Sequence, residues 1–199
     1  STKLEIWNME VGSGKLVSYY SLLAINPEAA EAMGIKLSEG SYFSRNASPD
    51  TIEILMGESV KRSFRNPKSN RWDGEAPDLD WLNAKYTVKL NDYNNVDDDG
   101  NPKVYEFKGR VVGIVPADGG EGGYNMYCSL ETMKNIMKKY KKVFTNSGMK
   151  TDEYPSAVVK VDDFNNVSGV QKQIEEMGLS CWSMADMIKQ MQESSKSLQ

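Results

Sequence analysis

The sequence predicts an α+β fold. Three observations carry this: apolar and polar residues alternate on both sides of GSG at residues 12–14, further β-like runs fall between Ala84 and Leu130, and helical spacing dominates after Ser129. At 199 residues, with 39% hydrophobic and 26% charged residues, the chain suits one domain with a real core, or one domain with two lobes. A net charge of −4, without a basic patch interleaved with aromatics, argues against a nucleic-acid partner. No apolar run approaches the roughly 20 residues of a membrane helix.

Taken in order, KLEIWNMEVGSGKLVSYYSLLAI reads as a hairpin turning at GSG. GSGK resembles a phosphate-loop fragment, but Met9 stands in place of the first glycine and Leu16 in place of the magnesium-binding Ser or Thr, so no nucleotide site is expected. Asn26 then caps a short helix with Pro27 at its first position and Gly34 at its end. TIEILMGESVKRSF is apolar before Gly57 and helical after it, with Glu58 at the positive end of the helix dipole. NPKSNRWDGEAPDLDW is a polar loop, and AKYTVKL, KVYEFKGRVVGIV and NMYCSL are strands.

Between the first two of these strands, NVDDDGNPKVYE nearly satisfies an EF-hand loop. Its candidate ligands are Asn95, Asp97, Asp99 and Glu106, with Gly100 at the bend. The flanking segments are strands rather than helices, and Asn95 replaces the first carboxylate, so a solvated hairpin tip is the expectation and no metal is assigned. The glycines of Gly119 to Gly123 lack the strand-to-helix context of a dinucleotide site.

In SLETMKNIMKKYKKVF, Leu130, Met133, Ile136, Met137 and Tyr140 share one helical face. Its lysines read as a solvated face complementing the dipole rather than as a membrane patch. After Pro155, a strand in SAVVKVDDF, a helix closed by Gly178 and a strand in LSCW spell a βαβ unit. Ser183 and Asp186 then form a capping box ahead of Met184, Met187, Ile188 and Met191, a face directed at the core or at a partner.

Chemistry is scarce. Without histidine, neither a Ser/His/Asp nor a Cys/His unit can be assembled, nor a zinc site with histidine ligands. Cys128 and Cys181 have no CxxC partner and are either a single disulfide in an oxidising compartment or two free thiols. No enzymatic activity and no cofactor are expected. The aromatic residues Trp72, Trp81 and Tyr124, set in polar or glycine-rich loops, are candidate partner-binding anchors; the alternative for the tryptophans is that they pin their loop to its own domain.

The order of these pieces resembles the extracytoplasmic domain, the MacB-like periplasmic core, of MacB/FtsX-family ABC transporter permeases. The likeness rests on LLAINPEAAEAMGIKLSEGSYFS with Gly40, on Gly57-Glu58-Ser59, on Val111 to Val115, on Ser129 to Thr132, and on the segment from Ala157 to Met191. It departs from the family in opening almost directly on a hairpin, which suggests a shortened N-terminal boundary, and in its long loop between Trp72 and Trp81. The resemblance implies a porter-like βαβ lobe of about residues 1–27 and 150–199, carrying an inserted smaller β-rich lobe of about residues 28–149, all one extracytoplasmic domain over 1–199. It implies a noncatalytic role at the outer face of the cell membrane in a bacterial permease dimer. There the domain would engage a substrate or partner protein and relay motion driven by ATP, which a separate cytoplasmic ATP-binding subunit consumes, in transport, efflux or mechanotransmission. The alternatives are a secreted, calcium-dependent binding module and, weakest because there is no histidine and no convergent carboxylate pair beyond acids such as Asp78 and Asp80, a small hydrolase.

Overall fold

A computed structural model describes residues 2–45, 48–69, 74–118, 121–154 and 156–196. The chain divides into two compact units, residues 1–158 and 159–199. The first contains strands β1 (Thr2–Ile6), β2 (Met9–Ser13), β3 (Leu16–Ser18), β4 (Leu22–Ile25), β5 (Glu39–Gly40), β6 (Thr51–Gly57), β7 (Tyr86–Val96), β8 (Pro102–Val115), β9 (Met126–Ser129) and β10 (Ser156–Ala157). Its α-helices are α1 (Pro27–Ala32), α2 (Leu130–Lys139) and α3 (Lys141–Asn146). All ten strands join one mixed sheet in the order β10-β1-β4-β9-β6-β8-β7-β2-β3, with β5 added to β8.

That order closes on itself. β1 with β2, and β3 with β4, are the two arms of one long hairpin turning at Gly14, whose φ of 58° is free only to glycine. The register between the arms changes by one residue at Trp7 and Asn8: Ile6 pairs with Leu22, whereas Val11 pairs with Ser18. Inward-facing positions change parity at the same point, from Leu4 and Ile6 to Met9 and Val11. Beyond the shift, the far half of the first arm pairs with β7, while β4 of the second arm pairs with β9. The strands β9, β6, β8 and β7 therefore run from one arm round to the other, enclosing the main core.

Into that core point Ile52, Ile54, Met56, Val88, Leu90, Val111, Ile114 and Met126, and the buried face of α2 with Met133, Ile136 and Met137. The opposite face of β4, β6, β8 and β9 carries Ile25, Leu55, Val112 and Tyr127, covered by Ala29 and Ala30 of α1 and by Ile35. The caps fall where the sequence places them. Asn26 accepts the Ala29 amide at 3.0 Å, Ser129 accepts that of Thr132 at 3.4 Å, and Gly34 takes a φ of 64°.

The helical run expected after Ser129 is broken at Tyr140, whose backbone sits at φ −110° and ψ 35°. Its ring is held against Tyr105 and Phe107, with centroids 4.8 and 5.7 Å away, and the chain restarts as α3. Likewise the segment after Gly57 forms a 3-10 helix over Glu58–Ser63.

The second unit holds α4 (Val167–Glu176) and α5 (Met184–Lys196). The capping box forms as read: the Ser183 amide donates to the Asp186 carboxylate at 3.0 Å, and the Asp186 amide donates to the Ser183 hydroxyl at 3.3 Å. The two strands of the expected βαβ unit are corrected. Only Ser156–Ala157 pairs, and 179–182 is irregular. β10 runs antiparallel to β1, with Ala157 opposite Thr2 and Ser156 opposite Lys3, and the described residues after Val158 join no strand of the sheet. No described side chain between 159 and 193 is buried, and Met184, Ile188 and Met191 stand exposed. Phe144→Ala, which empties a fully buried site, should destabilise the first unit by roughly 3–5 kcal/mol in chemical denaturation. Ile188→Asp, at 44% exposure, should change it by no more than about 0.5 kcal/mol.

Candidate functional site

The candidate site grows from the end of β6. Gly57 donates its amide to the Asn125 carbonyl at 2.9 Å, and a Cβ there would collide with the carbonyl oxygens of Gly123 and Asn125. Gly123 is confined in turn by the carbonyl of Pro116 and by Ala117. The turn Glu121–Tyr124 is thus clamped against the strand, which leaves Tyr124 58% exposed at its tip. Gly40 and Gly113 make a second such approach: a Cβ on Gly40 would strike the backbone of Val112, and one on Gly113 would meet the Ser41 carbonyl. These glycines permit backbone contact; their role is spacing.

Behind the junction the 3-10 helix carries Lys61, buried, with its ammonium 2.7 Å from Glu58 and 5.6 Å from the centre of the Trp81 ring. Trp81 also meets Phe64 edge-on at 5.2 Å, and its carbonyl accepts the Tyr86 hydroxyl at 2.8 Å. Burial, with a smaller contribution from the Asp80 charge, pushes the Tyr86 phenol well above its ordinary range, so it remains a donor. Trp81 is therefore engaged inside its own unit. Trp72 lies outside the described residues. Beside the junction, Glu58, Ser59, Arg62, Glu75 and Ala117 line a polar cleft open to solvent.

The acidic loop is the tip of the β7–β8 hairpin. Asp97 accepts the amides of Asn101 at 2.8 Å and Asp99 at 3.0 Å, while its own amide donates to the Asn101 carbonyl at 2.9 Å. Gly100 supplies the positive φ of 81° that the turn needs. Glu106 faces Lys89 across the ladder at 3.8 Å. Asp97 thus closes the turn and Glu106 makes a cross-strand pair, while Asn95 and Asp99 are exposed on the ribbon. Among the described residues no group of three or more Cys, Asp or Glu side chains is placed to hold a metal. Cys128 and Cys181 are both free thiols; burial pushes that of Cys128 up to about 12, which leaves it unreactive.

Sequence reasoning overlooked Lys61, whose burial the run KRSFR conceals, and Trp7, which sits on the outer side of the hairpin's register shift at 50% exposure. An aromatic beside a break in strand alternation was the available signal. Neither a known protein family nor a curated protein matches the chain.

Two outcomes follow. Gly57→Ala should cost about 3 kcal/mol of stability, because backbone rather than a flexible side chain must yield; thermal melts and proteolysis at Glu121–Tyr124 would measure it. The amide and side chain of Asn101 hold the Asp97 carboxyl below its usual value of 3.8. The order this lends the turn is complete above that value and is lost as pH falls through the lowered one. Protection of the Asn101 amide, its exchange rate relative to an unstructured amide at the same pH, should accordingly hold at neutral pH and be lost in strong acid, and Asp97→Ala should remove the transition.

Proposed function

We propose that the chain is the extracytoplasmic domain of a MacB/FtsX-family ABC transporter permease subunit. On this reading it is noncatalytic. It binds a substrate or partner protein outside the membrane and relays motion driven by a separate cytoplasmic ATP-binding subunit, in a permease dimer.

One observation carries the proposal. Three of the segments on which the resemblance rests, far apart in sequence, meet at one place in the sheet. Gly40 pairs with Gly113, Leu55 with Gly113 across the parallel ladder, and Gly57 with Val115. A pattern of glycines kept for mutual backbone contact is what a shared fold would retain. The grouping of about 1–27 with 150–199 in a porter-like lobe draws support from one pairing: Thr2 and Lys3 pair with Ala157 and Ser156 at one edge of the sheet. The lobe inserted over about 28–149 would then carry the contact surface, with Tyr124 its most exposed anchor.

Tyr124→Ala in the full-length permease should leave melting of the domain unchanged, since the ring is in solvent. It should weaken partner- or substrate-dependent stimulation of ATP hydrolysis about tenfold, the size expected for an aromatic anchor. Failure of the full-length protein to co-purify with an ATP-binding subunit would overturn the assignment.

A further inference from the structure

Five lysines, Lys134, Lys138, Lys139, Lys141 and Lys142, stand exposed along α2 and α3. None has a carboxylate of a described residue within ion-pair distance. They place five positive charges on two consecutive helices of a chain whose net charge is −4. The sequence pattern alone suits a solvated helix face. A neighbouring groove, invisible in that pattern, changes the reading.

The groove is lined by Leu4, Glu5, Trp7, Met149, Lys150 and Tyr154, between β1 and the loop that follows α3. It adjoins the first of these lysines: the Lys134 ammonium lies 4.9 Å from the centre of the Tyr154 ring. Trp7 and Tyr154 present their rings at 50% and 42% exposure. Lys150 is paired with Glu153 at 2.6 Å and Glu5 is exposed at the edge, so the groove itself carries one net negative charge and attraction for anions comes from the lysines of α2 and α3 alone.

We infer that this face docks on an anionic lipid surface, with the lysines of α2 and α3 over the headgroups and Trp7 and Tyr154 at the interface. Charge complementarity names the occupant. Every cation of the stripe is a lysine, a point charge on a flexible stem that suits a diffuse anionic surface; a site for protein carboxylates would favour the forked guanidinium of arginine. Partly exposed Trp and Tyr rings are placed as at membrane interfaces, where the apolar body enters and the polar end stays wet. Each lysine held near such a surface adds to the attraction, which salt screens.

The isolated chain is tested with vesicles, so the outcome does not depend on the permease reading. Vesicles with about 30% phosphatidylglycerol in phosphatidylcholine should sediment the protein at low salt, and pure phosphatidylcholine vesicles should not. Binding should fall at least tenfold, an order-of-magnitude expectation of about that size, in K138Q/K139Q/K142Q, a variant confined to exposed side chains and checked by circular dichroism. Binding should also move Trp fluorescence to the blue, and Trp7→Phe should remove most of that shift while sparing sedimentation. Equal binding to both vesicle types, no binding to either, or undiminished binding of the triple variant would overturn the inference. So would capture by polyglutamate through these lysines with no vesicle binding, which would assign the face to an acidic protein instead.

Discussion

The first unit depends on one shift of register. At Trp7 and Asn8 the first hairpin slips by a residue, so that Leu4 and Ile6 before it and Met9 and Val11 after it all face inward. Without the slip, either half of the arm would turn its apolar side to water. With it, one hairpin supplies a partner for β9 at one end and for β7 at the other, and the sheet encloses its core. The turn of direction is not free of tension: Asn8 is buried, its Oδ1 finds no hydrogen-bond partner among the described residues, and its side-chain Nδ2 donates to the Ser147 hydroxyl at 3.4 Å.

Enclosure explains the glycines. Once the strands are fixed, the connections between them must cross close to the sheet, and Gly40, Gly57, Gly113 and Gly123 are the places where backbone meets backbone. The exposed aromatics follow from the same frame. Tyr124 is presented by a clamped turn, while Trp81 is consumed by Phe64 and Lys61. Two aromatics alike in sequence context thus differ in what they offer a partner.

The second unit shows the opposite regime. Its described side chains between 159 and 193 enclose no core, and polar contacts link its helices, such as Gln171 with Asp186 at 3.0 Å and with Ser183 at 3.2 Å. Phe164, Met177 and Trp182 accordingly remain in solvent at 64% or more. Helices survive such exposure because their backbone bonds are internal; the strands written in VVKV and LSCW do not, because a strand's bonds belong to its neighbour.

Local rules were legible in the residues. Asn26, Ser129 and Ser183 cap because their side chains reach amides three residues on, Gly14 and Gly100 turn because they lack a Cβ, and the apolar face of α2 follows from its spacing. The hairpin reading of the acidic loop came from alternation in the strands beside it. What sequence spacing does not contain is which strand meets which. The closure of the sheet, the break at Tyr140 and the fate of Trp81 were decided by contacts between residues far apart in the chain. So was the meeting of Lys134 with Tyr154. The sequence by itself determined the elements, because a cap, a turn or an amphipathic face is settled within a few residues; only the tertiary structure decided the surfaces, because they exist where distant segments are brought together.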